Sequence, residues 1–189
     1  MMRAVFLDRD GTLMEEVGHC SKPDLVQVFP GVPEALLKLR DAGFLLCMVT
    51  NQGGIGQGFF TEEDFHAVQA ELFRQLHPAG IDAVYFCPDP PHLASARRKP
   101  SAGMLLEAAQ ELDIDLAQSY IVGDRDSDIL CGRNAGLRTI LVETGYGRQT
   151  ESNSEFRVPS LVHAAELILA FSGGTVRPSA TRRFSSPAR

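Results

Sequence analysis

Long hydrophobic runs are missing from this 189-residue chain. No apolar stretch approaches the roughly 18 residues of a membrane span, and no short apolar segment with a small-residue cleavage site opens the chain. The expectation is a cytoplasmic protein with no membrane partner. Cysteine is scarce as well: Cys20, Cys47, Cys87 and Cys131 stand far apart, which argues against a disulfide framework and for reduced thiols. Internal repeats are absent, and so are close strand pairs joined by Asn-Gly or Asp-Gly turns, which speaks against a hairpin-built sheet. Positive charge is in short supply. The formal net charge is −6, and from Gly173 onward there are four arginines (Arg177, Arg182, Arg183, Arg189) and no acid, so residues 1–172 carry −10. Such an acidic body is a poor nucleic-acid binder. Residues 173–189, rich in Gly, Ser, Thr, Pro and Arg, read as a disordered basic tail.

What remains, residues 1–172, is enough for one domain with a substantial core. No unmatched apolar surface stands out, so a monomer is expected. Short apolar runs alternate with longer segments of helical period, the order of βαβ units in a doubly wound parallel sheet with helices on both faces, an α/β three-layer fold. The predicted strands are Ala4 to Leu7, Phe44 to Val49, Ala83 to Cys87, Tyr120 to Val122 and Thr139 to Val142. Helices are predicted over Gly31 to Ala42, Thr61 to Leu76, Ala102 to Leu112, Ser127 to Ala135 and Leu161 to Phe171. Thr61-Glu-Glu-Asp64 forms a capping-box start, and the apolar stripe behind it is Phe65, Val68, Leu72, Phe73 and Leu76. In the third helix the expected stripe is Leu105, Leu106, Ala109 and Leu112.

Ligands of open parallel sheets sit outside the carboxyl ends of the strands. Those ends carry Asp8-Arg9-Asp10-Gly11-Thr12, Thr50-Asn51-Gln52-Gly53, Cys87 with the loop leading to Arg98-Lys99-Pro100, and Gly123-Asp124-Arg125-Asp126-Ser127-Asp128. Asp8, Asp10 and Asp124 converging in one crevice repel one another, and a cation relieves that repulsion. Oxygen ligands without a His or Cys pattern favour Mg²⁺. Thr50 and Asn51 offer hydrogen bonds and Lys99 a compact positive charge, the surroundings a phosphoryl group needs. Acids, metal and lysine together point to phosphoryl transfer: an ionised Asp can attack phosphorus while a second acid protonates the departing alkoxide.

Each element also has a plainer reading. Asp8-x-Asp10 could be a solvated turn, Lys99 a surface lysine, and Asp126 or Asp128 a helix cap. Gly53 to Gly58 matches neither G-x-G-x-x-G nor the P-loop and reads as a substrate loop. Cys47 and Cys131 fall in apolar segments and read as buried small hydrophobes, and His19 as a lone exposed histidine.

The four clusters, in this order and over nearly all of residues 3 to 147, resemble the motifs of the haloacid dehalogenase-like (HAD) phosphohydrolases, in the form found in the branch of heptose-bisphosphate and histidinol phosphatases. The resemblance implies a Mg²⁺-dependent phosphatase of a small phosphorylated metabolite, with a heptose bisphosphate ahead of histidinol phosphate. Asp8 would be the nucleophile and Asp10 the general acid and base. Mg²⁺ would be held by Asp8, the main-chain carbonyl of Asp10, and Asp124. Thr50, Asn51 and Lys99 would bind the phosphoryl group, Arg98 would orient the substrate, Arg125 fills a basic position after the metal-binding Asp, and Asp128 is a weaker metal candidate. The stretch after Asp10 is too short for a separate cap domain, so loops must close the site. In this branch a zinc loop often follows the third strand; here Ser95 and Arg97 stand where its second cysteine pair would fall. Zinc is therefore not expected beside Cys87 and His92, and the loop is expected to be held by its prolines.

Overall fold

The structure, a computed structural model, describes residues 1–173. The expected basic tail lies outside the described residues, apart from Gly173. Six parallel strands form one sheet in the order β3-β2-β1-β4-β5-β6: β1 (Arg3–Leu7), β2 (Phe44–Asn51), β3 (Ala83–Cys87), β4 (Tyr120–Gly123), β5 (Arg138–Val142) and β6 (Phe156–Val158). The order reverses at β1, which pairs with both β2 and β4; Val5 stands opposite Leu46 on one side and Tyr120 on the other. This is the doubly wound topology expected from the sequence, and it places a crevice at the carboxyl ends of β1 and β4.

Side chains alternate between two cores, as the pleat requires. Val5, Leu7, Leu46, Met48 and Val122 pack with helices α1 (Val32–Asp41), α2 (Glu62–Leu76) and α5 (Leu161–Ser172) on one face. Ala4, Phe6, Cys47, Val49 and Ile121 pack with α3 (Gly103–Leu112) and α4 (Asp126–Asn134) on the other. Each fully buried Val, Leu or Phe contributes about 1.5–3 kcal/mol, so a sheet covered on both faces needs the continuous apolar runs seen in β1 and β2. All four cysteines are buried and free.

Helix α2 starts with a full capping box: the Asp64 N–H donates to Thr61 Oγ1 at 3.1 Å, and the Thr61 N–H donates to Asp64 Oδ2 at 2.8 Å. Two expected stripes shift by a position or more. Phe73 and Leu106 are exposed, whereas Gln69, Met104 and Ala108 are buried. Helical spacing admits several neighbouring positions to an apolar face, and packing against the sheet selects among them. Strand β2 runs two residues beyond the predicted end, carrying Thr50 and Asn51 on the sheet itself. β6 is not among the predicted strands: it is a three-residue, partly exposed strand with Arg157 in the middle, and it joins the sheet through pairing with β5. Between β1 and α1 the chain forms only a 3-10 turn, Pro23–Leu25, so the described residues contain no inserted cap between these elements.

Candidate active site

The residues of the four clusters meet at the carboxyl edge of the sheet. Asp8 leaves β1 with its N–H donating to the Val122 carbonyl at 3.0 Å, which locks it beside β4. Lys99 arrives from the loop after β3 and is buried: its Nζ donates to Asp8 Oδ1 at 2.7 Å and to the Val49 carbonyl at 2.8 Å, and lies 2.6 Å from Asp128 Oδ1. Asn51 fixes that lysine from the main chain, its Oδ1 accepting from the Lys99 N–H and its Nδ2 donating to the Lys99 carbonyl, each at 3.0 Å. The Asn51 amide is thus largely engaged in placing Lys99.

Asp124 ends β4 and is buried. Its Oδ2 accepts the Tyr146 N–H at 2.8 Å, while its Oδ1 is buried without any hydrogen-bond partner. Gly11 and Gly145, both at positive φ (80° and 53°), approach so closely that a Cβ on either would overlap the Asp124 carboxylate. Here glycine serves both the turn and the clearance. Asp128 caps α4 through the Arg125 N–H, which donates to its Oδ2 at 3.0 Å, and it pairs with Lys99 through the other oxygen. The helix-cap reading of Asp128 describes its position.

Carboxylate oxygens of Asp8, Asp124 and Asp128 lie within 4.8 Å of one another. Three acids face the single charge of Lys99 in a buried space, so full ionisation would leave an excess of two negative charges. Burial pushes the Asp8 carboxyl well above its ordinary range, with Lys99 pulling it down and the neighbouring acids pushing it further up. Burial likewise raises Asp124 to about 7. For Lys99, burial works against its charge, but Asp128 and Asp8 outweigh it and hold the ammonium above its ordinary value. An orphaned carboxylate oxygen facing two further acids is a donor set that suits a hard divalent cation.

The Asp10 side chain is not part of this group. Its carboxylate is gripped by Arg9 and by Gln52, whose Nε2 donates both to Asp10 Oδ2 at 2.9 Å and to Thr50 Oγ1 at 2.8 Å. Sequence reasoning assigns no role to Arg9, Gln52 or Gln69. The only hint is an arginine placed between two acids at the end of a buried strand.

Above this floor opens a cleft of about 290 Å³, closed by loops rather than by a domain. Asp8, Asp10, Thr50 and Lys99 line its base; His19, Arg98 and Arg125 line its mouth. Arg125 is held by Glu16 at 3.2 Å and stacks over the Tyr146 ring, 4.0 Å from its centroid. Arg98 donates through Nη1 to the Asp89 carbonyl at 2.9 Å. His19 is exposed and lies against Phe59, ring centroids 4.7 Å apart. The loop after β3 is fastened by more than its prolines: Ser95 Oγ accepts the N–H groups of Arg97 and Arg98 at 3.2 Å each, the Cys87 thiol lies 3.6 Å from that hydroxyl and 3.5 Å from Asp89 Oδ2, and Arg97 pairs with Glu107 at 2.7 Å. His92 is exposed. Among the described residues the only group of three or more metal-ligating side chains is Asp8, Asp124 and Asp128.

A parallel sheet with an aspartate pair, a buried lysine and a second acidic loop at its reversal point defines a phosphoryl-transfer fold. Comparison with known proteins agrees. Residues 96–166 match a family model described as HAD-hydrolase-like. The chain is 41% identical over 157 residues to a D-glycero-D-manno-heptose-1,7-bisphosphate 7-phosphatase of Thermosynechococcus vestitus, covering 76% of this chain and 80% of that one. It is 42% identical over 163 residues to a D-glycero-beta-D-manno-heptose-1,7-bisphosphate 7-phosphatase of Haemophilus ducreyi, covering 81% and 90%. The crystal structure of the D,D-heptose 1,7-bisphosphate phosphatase of B. bronchiseptica, complexed with magnesium and phosphate, superposes with a TM-score of 0.84 at 32% identity, covering 90% of this chain and 99% of that one. The chain belongs to the HAD-like hydrolases, and within them it is a phosphatase. No described helix is long and apolar enough to cross a membrane.

Proposed function

We propose that this chain removes a phosphate from a phosphorylated sugar, with the 7-phosphate of D-glycero-D-manno-heptose 1,7-bisphosphate as the leading substrate, through an aspartyl-phosphate at Asp8. The observation that carries the reading is the Asp8 carboxylate: one oxygen is tied to Lys99 Nζ at 2.7 Å at the base of an open cleft, with Asp10 lining the same cleft. The names of the relatives supply the sugar.

The Thr50 hydroxyl, which accepts from Gln52, would donate to the phosphoryl group, and Lys99, its three N–H groups taken by Asp8, Asp128 and the Val49 carbonyl, would supply positive charge beside it, with Asp8 aligned beneath. The Asp8 oxygen attacks phosphorus as the ester P–O bond breaks, and Asp10 delivers its proton to the departing sugar oxygen. Asp10, now ionised, takes a proton from a water that attacks the aspartyl-phosphate, returning Asp8 and releasing phosphate. Asp8 and Asp124 would hold Mg²⁺, with the main-chain carbonyl of Asp10 as the third ligand that the family resemblance implies, and Asp128, which lies in the same acidic cluster, would hold Lys99. When bound, that ion neutralises charge on the phosphoryl oxygens and offsets the excess negative charge of the floor. Arg98 and Arg125, at the mouth, would meet the distal part of a substrate carrying a second anionic group.

Phosphate release from heptose bisphosphate, histidinol phosphate, other sugar phosphates and nucleotides tests this reading. Heptose bisphosphate should give the highest kcat/KM; a higher value for histidinol phosphate or a nucleotide would replace the substrate. Asp8→Asn should lower turnover by at least about 10³-fold, and excess EDTA should abolish it reversibly. Undiminished turnover in either would sink the mechanism.

A further inference from the structure

Arg9 is the largest fully buried side chain among the described residues, only 1% exposed, and it lies behind the cleft rather than in its lining. Its guanidinium forks onto Asp10, with Nε 3.1 Å from both carboxylate oxygens and Nη2 3.0 Å from Oδ1. Its remaining donors reach Gln52 Oε1 at 3.1 Å and Gln69 Oε1 at 3.4 Å, and its plane lies over the Phe65 ring, 5.6 Å from the centroid. Helix α2 therefore supplies both a ring and an acceptor for a charge that belongs to the β1 loop. Gln52 closes the network by donating from one Nε2 to Asp10 and to Thr50.

A buried guanidinium is costly unless every donor is matched, and here the matching partner is the group proposed to move protons. We infer that Arg9, steered by Gln52 and the α2 residues Gln69 and Phe65, is a positioning residue: it fixes the Asp10 carboxylate in register with Thr50, so that Asp10 is held where it meets the leaving oxygen of the substrate. The fork pins both carboxylate oxygens, so the side chain cannot rotate freely, while Gln52 ties its location to the threonine that would hold the phosphoryl group. Because Arg9 is absent from the cleft lining and Asp10 is part of it, Arg9 acts through Asp10. This inference rests on the role proposed for Asp10 above.

Leaving-group chemistry separates positioning from mere packing. An alkyl phosphate needs its leaving oxygen protonated as the P–O bond breaks, whereas the nitrophenolate of p-nitrophenyl phosphate departs without that help. kcat/KM reports the steps through leaving-group departure, so it isolates this need. For the Mg²⁺-loaded protein, Arg9→Met should lower kcat/KM about 100-fold on the alkyl phosphate that the unaltered protein hydrolyses fastest, and less than about 5-fold on p-nitrophenyl phosphate. Arg9→Lys, which keeps the charge but not the fork, should restore part of the loss, leaving about 10-fold on the alkyl ester and less than about 3-fold on the aryl ester. Equal losses on both esters, or none, would overturn the inference. Where Arg9→Met fails to fold, as judged by circular dichroism, Arg9→Lys decides by the same ratio. If the unaltered protein hydrolyses neither ester, the phosphatase reading itself fails, a result distinct from a uniform loss in the variants.

Discussion

The floor of the cleft and its roof are built on opposite principles. The floor, with Asp8, Lys99 and Asp128 in its lining and Asp124 clustered with them behind it, is buried, crowded with carboxylates and tied to the ends of β1, β2 and β4. The roof, the loops around His19, Gly53 to Gly58 and Pro88 to Arg98, is more exposed and held by main-chain turn hydrogen bonds, the shared Ser95 hydroxyl and ion pairs at its rim. Chemistry needs the first arrangement: charges out of water keep their strength, and a preformed site reorganises little during reaction. Selection of a substrate needs the second, because loops over a rigid scaffold can change without loss of the fold.

The largest effect should come from breaking the floor at its one cation. Lys99→Met leaves Asp8 and Asp128 buried without their partner, and chemical denaturation of the metal-free protein should show a loss of about 3–5 kcal/mol together with loss of activity. A loss below about 1 kcal/mol would mean that the ion pairs with Asp8 and Asp128 are not structural.

Glycine sharpens the contrast, because floor and roof each hold one at nearly the same φ. Gly11 stands at 80° against Asp124, whereas Gly58 stands at 76° with open space where a Cβ would project. Alanine at either site bears the left-handed penalty of about 1–2 kcal/mol. Only at Gly11 does the methyl also overlap a carboxylate, adding roughly 1–3 kcal/mol of overpacking. Gly11→Ala should therefore lower the melting temperature more than Gly58→Ala, and should also weaken the rise in melting temperature that Mg²⁺ produces. Equal shifts for the two variants would show that the Asp124 cradle is not tight.

The same division decides what the sequence could reveal. Buried strands read easily because both faces must be apolar, so the predicted β1 to β5 agree with the structure to within two residues at each end. The floor is legible because carboxylates and a lysine in the segments that follow four strands have few other reasons to coincide. Long-range partners are not. Nothing local shows that Arg9 turns inward onto Gln69, sixty residues away, or that the Asn51 amide is engaged by the Lys99 main chain. Strand β6 escapes because three residues, one of them Arg157, carry no periodicity that can be distinguished from a loop. Phe73 and Leu106 fall outside the core because helical spacing fixes a stripe only to within a neighbouring position. In the roof, the absence of a second cysteine pair is readable, but Ser95 as a replacement fastening is not, since its partners are main-chain N–H groups.

That fastening gives the roof its own pH dependence. Asp89 is held below the usual carboxylate range by hydrogen bonds from Ser95 and Cys87. A folded-state pKa below the unfolded value means that the contribution is fully present above about pH 4 and is lost as the pH falls through the folded pKa. Hydrogen exchange of the Arg97 and Arg98 amides, corrected for intrinsic rates, should lose protection as the pH drops below about 4, because both donate to the same Ser95 oxygen. Asp89→Asn keeps the shape of the side chain but removes its charge, so protection in that variant should be lower at neutral pH and nearly independent of acidification. The effect should be the smallest of those described here, since Asp89 is only partly buried and is held chiefly by hydrogen bonds from the neutral Ser95 and Cys87, with Arg97 and Arg98 adding less. If the variant retains the acid-induced loss, another carboxylate fastens the loop, and Glu107 through its 2.7 Å pair with Arg97 is the residue to replace next.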